Sequence, residues 1–211
     1  MLDYYKAGRY WMKILLRYNL ELFSFLMLLM MGFSLILIPE LTVMHKYLLG
    51  YMFLYTLHEW EESRFPGGFS KLMAKFFGLE LTKEKEELAH IPVAVLLIVI
   101  TIVPFLVQNP VIVLVPVYLG IFEAVVHVVG IKLHKMSKPY TPGMVTALAL
   151  LILSVCALVS FGKHNLINGS DYVLGVLCMF ICFAAMQRTV ITIFGLGYKD
   201  IFAKAKSKLK Q

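Results

Sequence analysis

The chain has 211 residues, of which 60% are hydrophobic and only 16% are charged. A soluble domain carries about 25% charged residues, so this composition excludes an ordinary soluble protein and indicates an integral membrane protein. The net charge of +7 does not indicate nucleic acid as a partner, because the basic residues are scattered between apolar runs and do not form one stripe with aromatic residues.

Six apolar segments are long enough to be transmembrane helices, since about 20 residues cross a hydrocarbon core of ~30 Å. In chain order they are residues 22–39, 44–62, 87–107, 111–134, 142–162 and 172–194. The second, fourth and sixth segments each contain ionisable residues. The sequence therefore predicts an all-α membrane protein whose six-helix transmembrane domain covers residues 20–196.

Two further segments have the composition of helices that lie on the membrane surface. Residues 1–19 combine tyrosine and tryptophan with lysine and arginine, and residues 69–79 place phenylalanines beside lysines. Both patterns are typical of interfacial helices. The charged residues 82–88 could cap the third helix. Residues 197–211 are predicted to form a basic cytoplasmic tail.

The distribution of lysine and arginine predicts the orientation of the chain. If the N-terminus is cytoplasmic, about 17 of the 20 basic residues fall in cytoplasmic segments. Only Lys46 and Lys163 fall in external loops, and Arg188 lies in the sixth span. This asymmetry follows the positive-inside rule. We therefore expect both termini to be cytoplasmic and the protein to lie in the inner or plasma membrane.

Ionisable residues within membrane spans are costly and mark a functional site. The second span contains His58, Glu61 and Glu62, and the fourth contains Glu123 and His127. Within each span these residues are three or four positions apart, so they share a helix face. With a rise of 1.5 Å per residue they lie ~18–27 Å below the external helix ends. The sequence thus predicts that they meet in the cytoplasmic third of the bilayer.

Imidazoles and carboxylates at helical spacing are typical of metal sites in helical bundles. Such nitrogen and oxygen ligands suit a divalent ion, namely Zn, Fe or Mn. We predict His58, Glu62 and His127 as ligands, with Glu123 or His90 completing the shell. Glu61 would orient a ligand or act as a general base on metal-bound water. Each group alone could instead be a helix cap or an intrahelical ion pair.

The start of the fifth span suggests a second binding element. Thr141 is a candidate N-cap, Pro142 suits the first helical turn and Gly143 permits close approach. Free N–H groups at a helix start can bind an anion. The candidate binding residues here are Lys135, Tyr140, Thr141 and Thr146. Arg188, on the sixth span, is a second candidate catalytic residue that would hold an anionic group.

Two short sequence blocks resemble a known family. The string HEWEE at residues 58–62 resembles the signature of the HXXEE-domain family of bacterial membrane proteins. Residues 140–143 (YTPG) resemble its second block, which follows a histidine matched here by His127. The likeness covers about residues 20–195. In the family the position of Glu123 is more often an amide, so the carboxylate here adds negative charge. The resemblance implies a membrane enzyme and supplies no substrate.

These observations predict a metal-dependent integral membrane enzyme that acts at the cytoplasmic side. Its substrate would be an amphipathic or anionic lipid-like molecule that enters from the bilayer, and the reaction would be hydrolysis. Iron would instead permit hydroxylation. A non-catalytic transporter or lipid-binding protein is the alternative, and a structural ion network is a third interpretation. The off-centre polar layer favours the enzyme, since transporters place their sites near the bilayer midplane.

Overall fold

The structure is a computed structural model that describes residues 14–209. Over this part of the chain it is helical and contains no strand. The interfacial helix predicted for residues 1–19 falls mostly outside the described residues. In chain order the helices are α1 Asn19–Leu37, α2 Val43–Ser63, α3 Phe69–Phe77, α4 Lys83–Val107, α5 Pro110–Leu133, α6 Met144–Lys163, α7 Gly169–Ile193 and α8 Tyr198–Leu209.

Five helices, α1, α4, α5, α6 and α7, are long and apolar enough to cross a membrane. Their number and composition indicate a membrane-integral protein. The remaining long helix, α2, has 21 residues but lacks the apolar composition. Eleven of its residues are buried within the protein, so its polar groups contact other helices instead of lipid. The six-span count and the cytoplasmic placement of both termini stay predictions.

Helix α2 contacts α1, α4, α5 and α6, and polar side chains anchor it. The Tyr51 hydroxyl donates to Ser154 Oγ on α6 at 2.9 Å, and the Tyr55 hydroxyl donates to the Pro116 carbonyl on α5 at 2.7 Å. Helices α5 and α6 cross closely at Gly120, where a Cβ atom would lie 2.7 Å from Ser154 Oγ. Small residues at such crossings let helix backbones approach within a membrane.

The starts of two helices differ from their predicted positions for physical reasons. Helix α4 begins at Lys83 because the Thr82 hydroxyl accepts from the Lys85 N–H at 3.3 Å, which confirms the predicted cap. Helix α6 begins at Met144, and its N-cap is Gly143 with φ of 94°. The prediction that Thr141 caps α6 is therefore wrong, because its hydroxyl contacts a histidine of α5 instead.

The short helix α3 lies between glycines with left-handed backbone angles, Gly68 with φ of 100° and Gly78 with φ of 61°. Few residues other than glycine adopt these angles, so the two glycines define the ends of the helix. Helix α3 contacts α2 and α8. The helix predicted within residues 69–79 is thus confirmed, while its position at the membrane surface stays a prediction.

Candidate metal centre

Four side chains from two helices converge at one point of the bundle. His58 and Glu62 project from α2, and Glu123 and His127 project from α5. One nitrogen or oxygen atom from each lies within 4.8 Å of the others. The group could therefore bind a metal ion. We refer to these four residues as the His/Glu cluster.

The distances within the His/Glu cluster suit a small coordination sphere. His127 Nε2 lies 3.1 Å from Glu62 Oε1 and 4.0 Å from Glu123 Oε2. His58 Nε2 lies 3.6 Å and 3.9 Å from the same two oxygens. Four tetrahedral ligands at the Zn–N distance would be ~3.4 Å apart. The shortest observed separation, 3.1 Å, is already below that value, and the widest, up to 4.8 Å, would have to contract by about an ångström around a bound ion.

The Nδ1 atom of His127, which faces away from the cluster, acts as a hydrogen-bond donor. His127 Nδ1 lies 3.0 Å from Thr141 Oγ1, and the Thr141 hydroxyl donates its hydrogen to the His127 carbonyl at 3.2 Å. A hydroxyl has one hydrogen to donate, so it accepts from the imidazole. Nδ1 therefore carries the N–H, and in the neutral ring the lone pair of Nε2 faces the cluster.

His58 is held in the same way by a different hydroxyl. Its Nδ1 lies 2.9 Å from Thr146 Oγ1, and the Thr146 hydroxyl donates to Glu61 Oε2 at 2.5 Å. The threonine again accepts from Nδ1–H and leaves the Nε2 lone pair directed inward. Metal-binding histidines characteristically donate their other nitrogen to such an outer partner, which fixes the tautomer.

Glu61 lies outside the cluster and caps α6. Its Oε1 accepts from the Tyr140 hydroxyl at 2.9 Å and from the Val145 N–H at 3.1 Å. Its Oε2 accepts from the Thr146 N–H at 2.8 Å in addition to the Thr146 hydroxyl. The amides expected to bind an anionic ligand are thus occupied by the protein's own carboxylate. Glu61 is not free to act as a base, and it orients Thr146 and, through it, His58.

Tyr140 supports this arrangement as a permanent donor. Burial, followed by the hydrogen bond to Glu61, raises the pKa of Tyr140 to about 12. The phenol therefore keeps its hydrogen across the physiological pH range and continues to donate to Glu61. Together with Thr141 and Thr146, Tyr140 forms a supporting layer around the cluster. These three residues, predicted to contact a ligand, contact side chains of α2 and α5 instead.

His127 Nε2 is a buried polar atom without a hydrogen-bond partner among the described residues. It lies 3.1 Å from Glu62 Oε1, but this contact does not have the geometry of a hydrogen bond. The His127 side chain is entirely buried, so water does not reach it. A buried unpaired polar atom costs about 1–3 kcal/mol. An ion bound between these atoms would remove that cost.

Two residues enclose the cluster. A Cβ atom on Gly143 would lie 2.6 Å from His127 Cε1 and 2.7 Å from Glu62 Cγ, so only glycine lets the backbone pass there. The ring centroid of Phe69, at the start of α3, lies 5.1 Å from that of His127. The predicted close approach at Gly143 is confirmed, whereas Phe69 was not anticipated from the sequence.

Three predicted site residues belong neither to the cluster nor to the contacts that support it. His90 Nδ1 lies 3.8 Å from Glu59 Oε2 and 3.4 Å from Ser63 Oγ. His90 therefore contacts these two α2 side chains and not the cluster. Arg188 and Lys135 are both exposed. Their long side chains extend away from the buried interior, and they do not line the cavity described below. The expectation that they hold an anionic group is not supported by these positions.

Glu59 is a buried carboxylate beside the cluster that the sequence analysis missed. Its side chain is only 6% exposed, and it pairs with His90 of α4. Adjacent residues on a helix point ~100° apart, so Glu59 cannot share the face of His58. The available signal was His90, a half-buried imidazole on α4 that the sequence analysis had already singled out as a candidate ligand.

A cavity of about 230 Å³ adjoins the cluster. His58, Glu62 and Glu123 reach its surface, as do Glu59 and His90. Most of its lining is apolar and comes from α3, α4, α5 and α7. The cluster is therefore accessible to a molecule with a large apolar part.

The middle of the chain matches a known protein family. Residues 49–158, half of the chain, match a family described as proteins of unknown function with an HXXEE motif. The matched stretch contains all four cluster residues and the supporting layer, and it is shorter than the predicted likeness over residues 20–195. No curated protein and no solved structure matches the chain.

Proposed function

This chain belongs to the HXXEE family, and from the geometry of its His/Glu cluster we propose that it is a metal-dependent integral membrane enzyme. The reaction proposed is hydrolysis of a lipid-like substrate at the cytoplasmic side of the membrane. The positive-inside distribution of lysine and arginine supports that side. The apolar cavity beside the cluster supports a lipid-like substrate.

One observation carries the proposal. Two imidazole lone pairs and two carboxylates face one another, and both imidazole hydrogens are committed to threonine hydroxyls on the far side. When both carboxyl groups are ionised, these four acceptor atoms have no donor between them and repel one another in a low dielectric. A divalent ion at their centre turns this repulsion into attraction. A structural ion network would place donors, such as arginine or lysine, opposite the carboxylates.

The residues divide into distinct roles. His58, His127 and Glu62 form the two-histidine, one-carboxylate set that is typical of hydrolytic zinc sites. Glu123 lies farther from both Nε2 atoms and reaches the cavity, so it is positioned to accept a proton from water or to complete the shell. When bound, the metal would supply a water of lowered pKa as the nucleophile. Glu61 is a positioning residue.

A non-catalytic lipid-binding protein is the second candidate. The apolar lining of the cavity favours it, because such a surface binds hydrocarbon whether or not chemistry follows. A lipid-binding function alone, however, does not explain why four acceptor atoms face one another in the cluster. The two candidates therefore differ in whether the protein holds a metal ion.

The test is the metal content of detergent-purified protein, measured by mass spectrometry. We expect about one metal ion per chain in the wild type, and its loss in His58→Ala and in His127→Ala. His164→Ala is the matched control, because His164 is exposed and bonds only to the Ser160 carbonyl. The metal's identity then separates hydrolysis from iron-dependent hydroxylation. Protein that takes up no Zn, Fe or Mn even after incubation would refute the proposal.

A further inference from the structure

The cavity beside the His/Glu cluster has two chemically different parts. One end is polar, where His58, Glu62 and Glu123 reach the surface. Most of the remaining lining is apolar and comes from α3, α4, α5 and α7. Its larger apolar side chains include Met73, Phe77, Leu97, Phe122, Phe183 and Val190. This division matches an amphiphile whose head group lies at the cluster and whose hydrocarbon chain lies along the apolar walls.

The apolar walls alone give little selectivity in a membrane. Lipid tails are as apolar as leucine, so moving a hydrocarbon chain from the bilayer into this cavity gains little free energy. Discrimination between lipids must therefore come from the polar end. The charges there determine which head groups can enter.

Among the described residues that line the cavity, those of the types Asp, Glu, Lys and Arg are all acidic. They are Glu59, Glu62, Glu86 and Glu123, and no lysine or arginine joins them. A divalent ion between Glu62 and Glu123 cancels only the charges of those two residues. Glu59 pairs with His90, so the carboxylate that phosphate head groups would meet without a compensating cation is Glu86. Like charges in a low dielectric repel strongly, so an anionic head group is disfavoured.

We propose that the cavity binds an amphiphile with one extended hydrocarbon chain and a neutral or positively charged head group, and that it rejects phosphate-bearing lipids. The inference rests on the proposed function in taking the His/Glu cluster as the reacting centre. It replaces the anionic substrate expected from the sequence. That expectation depended on Lys135, Arg188 and the start of α6, which lie away from the cavity or are already occupied.

The test uses the full chain in nanodiscs of neutral lipid with a fluorescent neutral amphiphile as the bound probe. The competitors are hexadecanol, hexadecyltrimethylammonium and hexadecyl phosphate, which share one chain length. We expect the alcohol and the ammonium compound to displace the probe. Hexadecyl phosphate should bind at least about tenfold more weakly. Equal displacement by hexadecyl phosphate would overturn the inference.

Two charge-reversal variants test whether the cavity determines the preference between head groups. Glu84 and Glu86 both lie in the first turn of α4, but only Glu86 lines the cavity. Glu86→Lys should narrow the difference between hexadecyl phosphate and hexadecanol, whereas Glu84→Lys should leave it unchanged. An equal shift in both variants would mean that surface charge, not the cavity, sets the preference. Thermal unfolding of each variant checks that the fold is retained.

A second pair of variants, one that fills the cavity and one control, tests where the amphiphile binds. Ala89 lines it, whereas Ala185 is exposed on α7. We expect Ala89→Trp to abolish displaceable probe binding and Ala185→Trp to retain it. Retained binding in a folded Ala89→Trp variant would place the amphiphile elsewhere and overturn the inference.

Metal content of the same samples separates the two proposals. Bound metal without selectivity between head groups would overturn the ligand class and leave the metal-dependent function standing. Selectivity between head groups in a protein that takes up no metal would overturn the proposed function and leave the ligand class standing.

Discussion

Two threonine hydroxyls set the chemistry of the cluster. Thr141 and Thr146 come from one short segment around the start of α6, yet they hold imidazoles from two different helices. Each hydroxyl donates its one hydrogen to another acceptor, so it can only accept a hydrogen bond from the histidine Nδ1–H. The segment thus fixes both histidines with their Nε2 lone pairs directed at the same point.

Replacing either hydroxyl by a methyl group should weaken metal binding. In Thr141→Val and Thr146→Val the shape is nearly kept, but Nδ1–H loses its acceptor and the tautomer is no longer fixed. Loss of such outer partners typically lowers metal affinity 10–100-fold. Competition against a chelating dye measures the change.

Thr189→Val is the control for these variants. Thr189 is exposed on α7, and its hydroxyl donates only to the Ala185 carbonyl of its own helix. Its affinity for metal should equal that of the wild type. Unchanged affinity in both Thr141→Val and Thr146→Val would show that the hydroxyls do not set the ligand tautomers.

At the scale of elements, α2 and α6 meet through a helix N-terminus. The Glu61 carboxylate of α2 accepts hydrogen bonds from the Val145 and Thr146 N–H groups, which have no carbonyl partner within α6. The partial positive charge at a helix start stabilises a carboxylate there. This contact brings Gly143 over the cluster, since Gly143 is the N-cap of the same helix.

The start of α6 should not tolerate a side chain at Gly143. Gly143→Ala forces a non-glycine residue to a φ of 94° and places Cβ within 2.7 Å of Glu62 and His127. The backbone strain alone costs about 1–3 kcal/mol. We expect a lower melting temperature in detergent and a reduced metal content.

Gly169→Ala provides the comparison. Gly169 begins α7, and a Cβ atom there meets no atom within 4 Å. Its melting temperature should change little. If Gly143→Ala melts at the wild-type temperature with full metal content, the backbone does not pass over the cluster as described.

The sequence predicts which residues share a helix face but not which partner each face meets. Helical spacing correctly grouped His58 with Glu62 and Glu123 with His127. The three carboxylates of the HEWEE string nevertheless have three destinations. Glu59 pairs with His90, Glu61 caps α6 and Glu62 joins the cluster. These differences depend on the crossing of α2 with its neighbours, which periodicity in one segment does not encode.

Cap positions show the same limit. Thr82 caps α4 through a contact three residues away, which local sequence predicts. Thr141 has the right residue type and position for a cap, but its hydroxyl contacts His127 from another helix. A distant partner outweighed the local preference, and only the folded chain brings that partner into contact.

At the scale of the whole molecule, the most polar long helix is the most enclosed. Five of the long helices are apolar enough to face lipid, whereas α2 contacts four of them. A helix shielded in this way can carry imidazoles and carboxylates that lipid would not accept. Hydropathy therefore understates the contribution of α2 to the membrane domain.

The topology of the chain tests whether α2 spans the membrane. Six spans put both termini on one side, whereas five put them on opposite sides. We expect green fluorescent protein fused to either terminus to fluoresce in the cytoplasm and alkaline phosphatase fused there to be inactive. Active phosphatase at one terminus only would show that α2 does not cross.

The two carboxylates of the cluster have a consequence for the membrane voltage. Glu62 and Glu123 carry two negative charges when ionised, and either one divalent ion or two protons cancel them. Exchange of one metal ion for two protons is then electroneutral at the site. Moving a net charge across the membrane potential changes its energy by about 2.3 kcal/mol per 100 mV. An exchange with protons on the same side of the membrane would avoid this term, so the membrane voltage would neither drive a metal ion into the cluster nor expel it.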